Sequence, residues 1–230
     1  KYYYLLLAIT SPIILFLSST AKPQLFHLCS SAVIFSLYLF GNFKNLNPNE
    51  KKLKIILSLM VLVVSVNSKF NFLTSSFLIG IFIFYICIQN KKSIFFLVTS
   101  SVLFLLFYFP IIYWKYINFD LNFYQYLFSP VPLSIPGIKE FTLYLVRFGR
   151  EVNFINFIFP KNFSQFTNVI GISIFYILFL NFKSNKVKVV FLIAILHMLI
   201  NYFFGQFIGR SLLEPLFWIL LVSAKYGHSI

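Results

Sequence analysis

The hydrophobic residues of this chain fall into long, nearly uninterrupted runs that short polar connections separate. A helix that spans a membrane needs roughly 20 mostly apolar residues, and about eight segments come near that length. We place the predicted spans at 2–17, 24–40, 53–66, 70–88, 94–114, 168–182, 187–204 and 211–224. The pattern therefore predicts an all-α membrane protein, a polytopic bundle of about eight transmembrane helices.

The first apolar run also fits a signal peptide. Lys1 precedes it, and the small residues 18–21 end it. Cleavage there would leave the other seven spans and their orientation unchanged. Because the chain begins at Lys1 rather than Met, we expect it to be a fragment of a longer protein.

Composition supports a membrane setting. The chain is 60% hydrophobic and only 10% charged, whereas a soluble domain carries roughly a quarter charged residues. No stretch is left for a separate soluble domain, so residues 1–230 form one predicted transmembrane unit. The net charge of +14 would suggest nucleic acid in a soluble protein. Between apolar spans, basic side chains instead reach the lipid headgroups, so we expect membrane lipids as partners and no nucleic acid.

The basic residues also predict the orientation. Alternating spans sort 11 lysines into short connections or termini on one side, and only three basic residues into short loops on the other. We therefore expect the lysine-rich loops and both ends to be cytoplasmic, at a bacterial cytoplasmic membrane. The long connection 115–167 lies on the outer side, and its four prolines argue against a hidden pair of spans.

Ionisable groups at membrane depth are candidate functional residues because they are costly in hydrocarbon. Arg210 and Glu214 stand four residues apart, so they share a helix face and can pair. Alternatively, the Arg210 guanidinium holds an anionic headgroup. His197 and Asn201 are also four apart, and we expect them to form hydrogen bonds between helices.

Two further residues are candidates for substrate binding at the outer side. Lys69 lies between two closely spaced spans and is either a headgroup anchor or a phosphate contact. Asp120, in the long loop, is either a solvated aspartate or a substrate contact. The chain has no P-loop, dinucleotide-binding, HExxH, GxSxG or tandem Cys/His motif, so we predict no metal site from its own motifs.

Four short stretches together resemble a known family. They are Ser11-Pro12 followed by 21–24 (AKPQ), 66–69 (VNSK), 109–114 followed by 118–132 (NFDLNFYQYLFSPVP), and 209–215 (GRSLLEP). Their order over nearly the whole chain is similar to the membrane half of GT-C-type glycosyltransferases, although no single stretch is specific. The resemblance implies transfer of a sugar from a polyprenyl-phosphate donor at the outer face of the membrane.

The resemblance carries over to few residues. It implies phosphate contacts by Arg210 and Lys69, a divalent metal ion or basic residues on the phosphate, and a carboxylate that deprotonates the acceptor. The family's catalytic acid lies on the first large outer loop, which we expect upstream of Lys1. The acidic residue often found in the next outer loop is Gln24 here. No catalytic residue is therefore assigned.

Two other classes of protein fit the same pattern. One is a transporter or lipid-carrier translocase, in which His197, Asn201 and Arg210 line the substrate path. The other is a noncatalytic membrane subunit of envelope polysaccharide assembly. A carboxylate in an outer loop upstream of Lys1 would favour the transferase, whereas another bare apolar helix would favour transport.

Overall fold

The protein was analysed as a computed structural model that describes residues 23–41, 43–68, 72–119, 184–204 and 209–226, with positions 155, 159 and 182. Seven α-helices lie in these ranges: α1 Pro23–Leu39, α2 Pro48–Ser68, α3 Leu73–Gln89, α4 Ser93–Phe107, α5 Phe109–Phe119, α6 Asn185–Phe204 and α7 Gly209–Tyr226. A short 3-10 turn, Phe43–Asn45, joins α1 to α2. None of the described residues forms a strand, which confirms the predicted all-α class.

The start of α2 follows from its local sequence. The Asn47 side chain accepts a hydrogen bond from the Glu50 backbone N–H at 2.8 Å, and the Glu50 carboxylate accepts one from the Asn47 N–H at 3.0 Å. Pro48 occupies the first helical position, where its missing N–H costs nothing. This reciprocal capping starts the helix immediately after the short turn.

The breaks between α3 and α4 and between α4 and α5 also follow from the local sequence. Lys91 adopts a left-handed backbone with φ of 54°, and the Lys92 N–H returns to the Cys87 carbonyl at 2.8 Å, which ends α3 and allows α4 to begin. Tyr108 then separates α4 from α5. Pro110 lacks the N–H that would continue the helical ladder there, which explains the interruption.

The core lies where α1, α2, α3, α6 and α7 pack together. Helix α7 lies against α6 and α1, and α3 contacts α1, α2 and α6. Aromatic rings fill the centre: the Phe35 ring lies 5.0 Å from that of Phe82 and 5.4 Å from that of Trp218. Tyr38 packs edge-on against Phe82. Helix α4 covers α2 and α3, and α5 continues from it.

Large apolar side chains cover the outer surface of α4 and α5. Ile94 is 77% exposed and Leu106 is 63% exposed. The segment Ser93–Asn118 has 26 residues, and it is the one helix in the described part that is long and apolar enough to cross a membrane by length and composition. Phe26–Leu39, Leu73–Gln89 and Leu213–Val222 are shorter apolar helices.

The observed helices coincide with six of the predicted apolar segments, those beginning at 24, 53, 70, 94, 187 and 211. Helix α5 continues to Phe119, so the first residues of the predicted loop 115–167 are helical. The predicted spans 2–17 and 168–182 lie outside the described residues except for position 182, as does the rest of that loop apart from positions 155 and 159.

Candidate functional site

Four polar side chains from four helices meet inside the bundle. Glu214 on α7 places Oε2 3.5 Å from Nε2 of His27 on α1 and 3.7 Å from Nε2 of His197 on α6. Ser75 on α3 completes the group, with Oγ 2.7 Å from Nε2 of His27. We call these four residues the His–Glu centre.

Hydrogen bonds around the centre place a proton on Nε2 of His27. The Ser75 hydroxyl donates to the Phe72 carbonyl at 3.2 Å, so its oxygen accepts from Nε2–H of His27. The Asn201 side-chain amide lies 3.2 Å from Nδ1 and 3.5 Å from Nε2 of His197, so it can donate to either ring nitrogen. Nε2 of both imidazoles lies near the same carboxylate oxygen, and Nε2–H of His27 is donated to Ser75.

The carboxylate is not yet hydrogen-bonded by either ring. Distances of 3.5 and 3.7 Å exceed the 2.7–2.9 Å that is typical of a charge-assisted N–H···O bond. Oε2 of Glu214 and Nδ1 of His27 have no hydrogen-bond partner among the described residues. A shift of less than 1 Å would bring either Nε2 within hydrogen-bonding distance of Oε2.

The surroundings of the centre are apolar and closely packed. His27 is fully buried, and its ring stacks on Phe72 with a centroid separation of 4.2 Å. His197 is 4% exposed and meets the edge of Trp218 at 5.4 Å. Glu214 is 7% exposed. An unpaired charge is costly in such surroundings. A charged carboxylate or imidazolium here is therefore stabilised by the oppositely charged group beside it.

The centre lies near one end of the helices that carry it. His27 is four residues after the start of α1, Ser75 two after the start of α3, and Glu214 five after the start of α7. His197 is seven residues before the end of α6. At about 1.5 Å per residue, all four side chains lie within roughly 11 Å of the same end of the bundle.

The predicted site residues have different outcomes. Lys69 and Asp120 lie outside the described residues. Arg210 lies in the first turn of α7, but its side chain is outside the described set, so the predicted pairing with Glu214 stays a prediction. The Asn201 amide hydrogen-bonds within its own helix, to the His197 carbonyl at 2.9 Å, rather than to a neighbouring helix.

Sequence reasoning missed His27 and Ser75. A histidine inside the predicted span 24–40 was the available signal, because an ionisable residue within an apolar run is a candidate by default. Ser75 gave no such signal, since serines inside apolar helices commonly bond their own backbone. Its role emerges only when α1 and α3 are brought together.

The described residues offer no set of ligands for the divalent ion that the family resemblance implies. Within the described ranges, no group of three His, Cys, Asp or Glu side chains could hold a metal ion. The resemblance also placed the acidic residue of the chemistry upstream of Lys1, so these residues do not supply the expected metal chemistry. What they supply is a carboxylate and two imidazoles, and imidazole is the side chain whose ordinary chemistry includes proton exchange near neutral pH.

Fold and site together define an all-α protein whose interior holds a buried cluster of two histidines and a glutamate. The chain belongs to the DUF1420 family, because the DUF1420 N-terminal domain matches residues 3–226. No curated protein and no solved structure matches it.

Proposed function

We propose that the chain is a polytopic membrane protein with about eight spans and its lysine-rich loops in the cytoplasm. The exposed apolar surface of α4 and α5 supports the lipid setting, because water-soluble proteins rarely leave such a continuous apolar face uncovered. The orientation is supported by the distribution of charge. Lys54, Lys186 and Lys225 meet at one end of the bundle, and the His–Glu centre lies near the other.

Within this setting, the proposed function is proton-coupled transport. One observation carries it: a buried carboxylate oxygen lies 3.5 and 3.7 Å from the Nε2 atoms of two imidazoles without a hydrogen bond to either. Accepting a proton would draw these groups together and so pull α1, α6 and α7 closer. A substrate pathway between these helices would then respond to protonation, which is how proton and substrate movements become coupled.

The burial of the centre favours a role in which only a proton reaches it. A bulky acceptor hydroxyl would have to displace Phe72 and Trp218, whose rings pack directly against the imidazoles. A proton needs no such opening, because it passes along hydrogen-bonding groups. Ser75 and Asn201 provide such groups on either side of the centre.

Proton uptake by the purified chain tests the proposal directly. In unbuffered detergent solution between pH 8 and pH 5, the wild-type chain should bind about one more proton than Glu214→Gln. The matched control is Glu50→Gln, which makes the same change at an exposed helix cap. Glu50 lies outside the His–Glu centre, so the control should match the wild type. Equal uptake by Glu214→Gln and the wild type would exclude the proton-binding role.

Topology is tested separately by reporter fusions. Fusions after Gly41 and after Asn181 should report a cytoplasmic position, and a fusion near Ser134 an external one. The opposite pattern would overturn the orientation while leaving the proton-uptake result intact.

The second candidate function is the GT-C-type transferase that uses a polyprenyl-phosphate sugar. A carboxylate beside two imidazoles can serve as a general base, and Arg210 stands one turn before Glu214 on α7. Membranes containing the chain would then release or transfer sugar from such a donor. Glu214→Gln should abolish that reaction, and Arg210→Lys should weaken donor binding without impairing membrane insertion. Donor binding that is unchanged in Arg210→Lys would remove the phosphate-contact role.

A further inference from the structure

The end of the bundle opposite the His–Glu centre gathers ammonium groups around the C-terminus of α1. Lys54 on α2 donates to the Leu37 carbonyl at 3.4 Å, and Lys186 on α6 donates to the Tyr38 carbonyl at 3.2 Å. Lys225 on α7 donates to the Leu39 carbonyl. Three other helices thus cap successive carbonyls at the end of α1. We call these three residues the lysine cluster.

The helix end offsets only part of this charge. A helix C-terminus carries about half a negative charge, whereas the lysine cluster brings three positive charges. Two more lysines lie close by: Lys51 donates to the Lys44 carbonyl at 2.8 Å. The ion pairs found among the described residues join only Glu214 to the two histidines, so neither Lys54 nor Lys186 pairs with a described carboxylate.

The crowding of positive charge affects Lys186, which lies just before the predicted span 187–204. Burial lowers its pKa, and the charges of Lys225 and Lys44 lower it further. The positive charges of the neighbouring lysines therefore disfavour the charged form of Lys186. A nearby anion would relieve that repulsion.

We propose that the lysine cluster binds the phosphate group of an anionic lipid of the cytoplasmic leaflet. The inference rests on the membrane setting proposed above. The ammonium groups of Lys54 and Lys186 have three N–H donors each, and the α1 carbonyls engage one of each, so donors remain for phosphate oxygens. The half-buried position strengthens the attraction relative to a fully solvated site. Because α2, α6 and α7 each contribute a lysine, one phosphate would tie three helices to α1.

Thermal unfolding of the purified chain in detergent tests the site. Three additions are compared: phosphatidylglycerol, phosphatidylcholine and inorganic phosphate. The wild type should gain several degrees with phosphatidylglycerol and little with phosphatidylcholine. The double variant Lys186→Gln/Lys225→Gln keeps amide donors for the Tyr38 and Leu39 carbonyls but lacks the charges, so it should lose most of the gain.

A matched control separates this site from general charge attraction. The double variant Lys91→Gln/Lys92→Gln removes the same net charge from the α3–α4 turn, where the backbone N–H groups of both residues donate to α3. It should keep the gain from phosphatidylglycerol. A loss equal to that of Lys186→Gln/Lys225→Gln would overturn the proposal. An equal gain from inorganic phosphate would assign a soluble phosphate as ligand and overturn the lipid.

The proton centre and the lysine cluster can fail separately. Glu214→Gln should retain the gain from phosphatidylglycerol, because its substitution lies at the other end of α7. If the wild-type chain takes up the proton but its unfolding temperature does not rise with phosphatidylglycerol, the lipid site alone is refuted. A chain that unfolds identically with and without every lipid, and remains soluble without detergent, would remove the membrane setting as well.

Discussion

Replacing Glu214 with glutamine should destabilise the protein more strongly as the pH falls. With Oε2 3.5 and 3.7 Å from the two imidazole nitrogens, one imidazolium–carboxylate pair has a Coulomb energy of about 4–5 kcal/mol at an effective dielectric constant of about 20. Where one ring is protonated, the glutamine removes the anion beside a buried imidazolium, and breaking such a pair costs about 3–5 kcal/mol. Where both rings are neutral, we expect a loss of only about 1 kcal/mol.

The free energy of unfolding can be measured by titration with a denaturing detergent at pH 5 and pH 8. Glu50→Gln is the control, because Glu50 is exposed and glutamine also serves in a capping box. It should change stability by less than about 1 kcal/mol at either pH. A loss in Glu214→Gln that is the same at both pH values would refute the idea that the carboxylate stabilises a protonated imidazole.

Three further predictions concern the packing and the lysine end. A Cβ at Gly41 would lie 2.4 Å from the Leu37 carbonyl oxygen, so Gly41→Ala should lower the unfolding temperature by several degrees, whereas Gly80→Ala, with open space around it, should not. Trp218→Phe removes the indole donor 3.2 Å from Ser31 Oγ and should cost roughly 1–3 kcal/mol in unfolding free energy. Because the pKa of Lys186 is lowered on folding, stability should rise as the pH increases towards about 10.5, and thermal unfolding of Lys186→Gln should lack that increment.

Much of the fold could be read from the sequence because apolar run length is a property of each segment alone. The run 24–40 and helix α1 differ by one residue at each end, and the capped start of α2 follows from 47–50 (NPNE). The continuation of α5 to Phe119 was missed. Residues 115–119 contain polar side chains, which weaken the apolar pattern without stopping a helix.

The site was harder to read because its residues are far apart in the chain. His27 and Glu214 stand on the first and last described helices, and only the packing of α7 against α1 brings them together. Spacing within a helix pointed to Arg210 as the partner of Glu214. It could not show that the Glu214 carboxylate faces two histidines on neighbouring helices.

Helices α6 and α7 make different kinds of contact at the two ends of α1. At one end, α6 and α7 hold lysines to its carbonyls, contacts that require no change of protonation near neutral pH. At the other end, α6 and α7 bring His197 and Glu214 towards His27 at distances that protonation shortens in the mechanism we propose. Movement caused by protonation should therefore be greatest at the His–Glu end and smallest at the lysine cluster. A lipid phosphate bound to the lysine cluster would hold that end of the helices in place. The His–Glu ends of the same helices would then move relative to it.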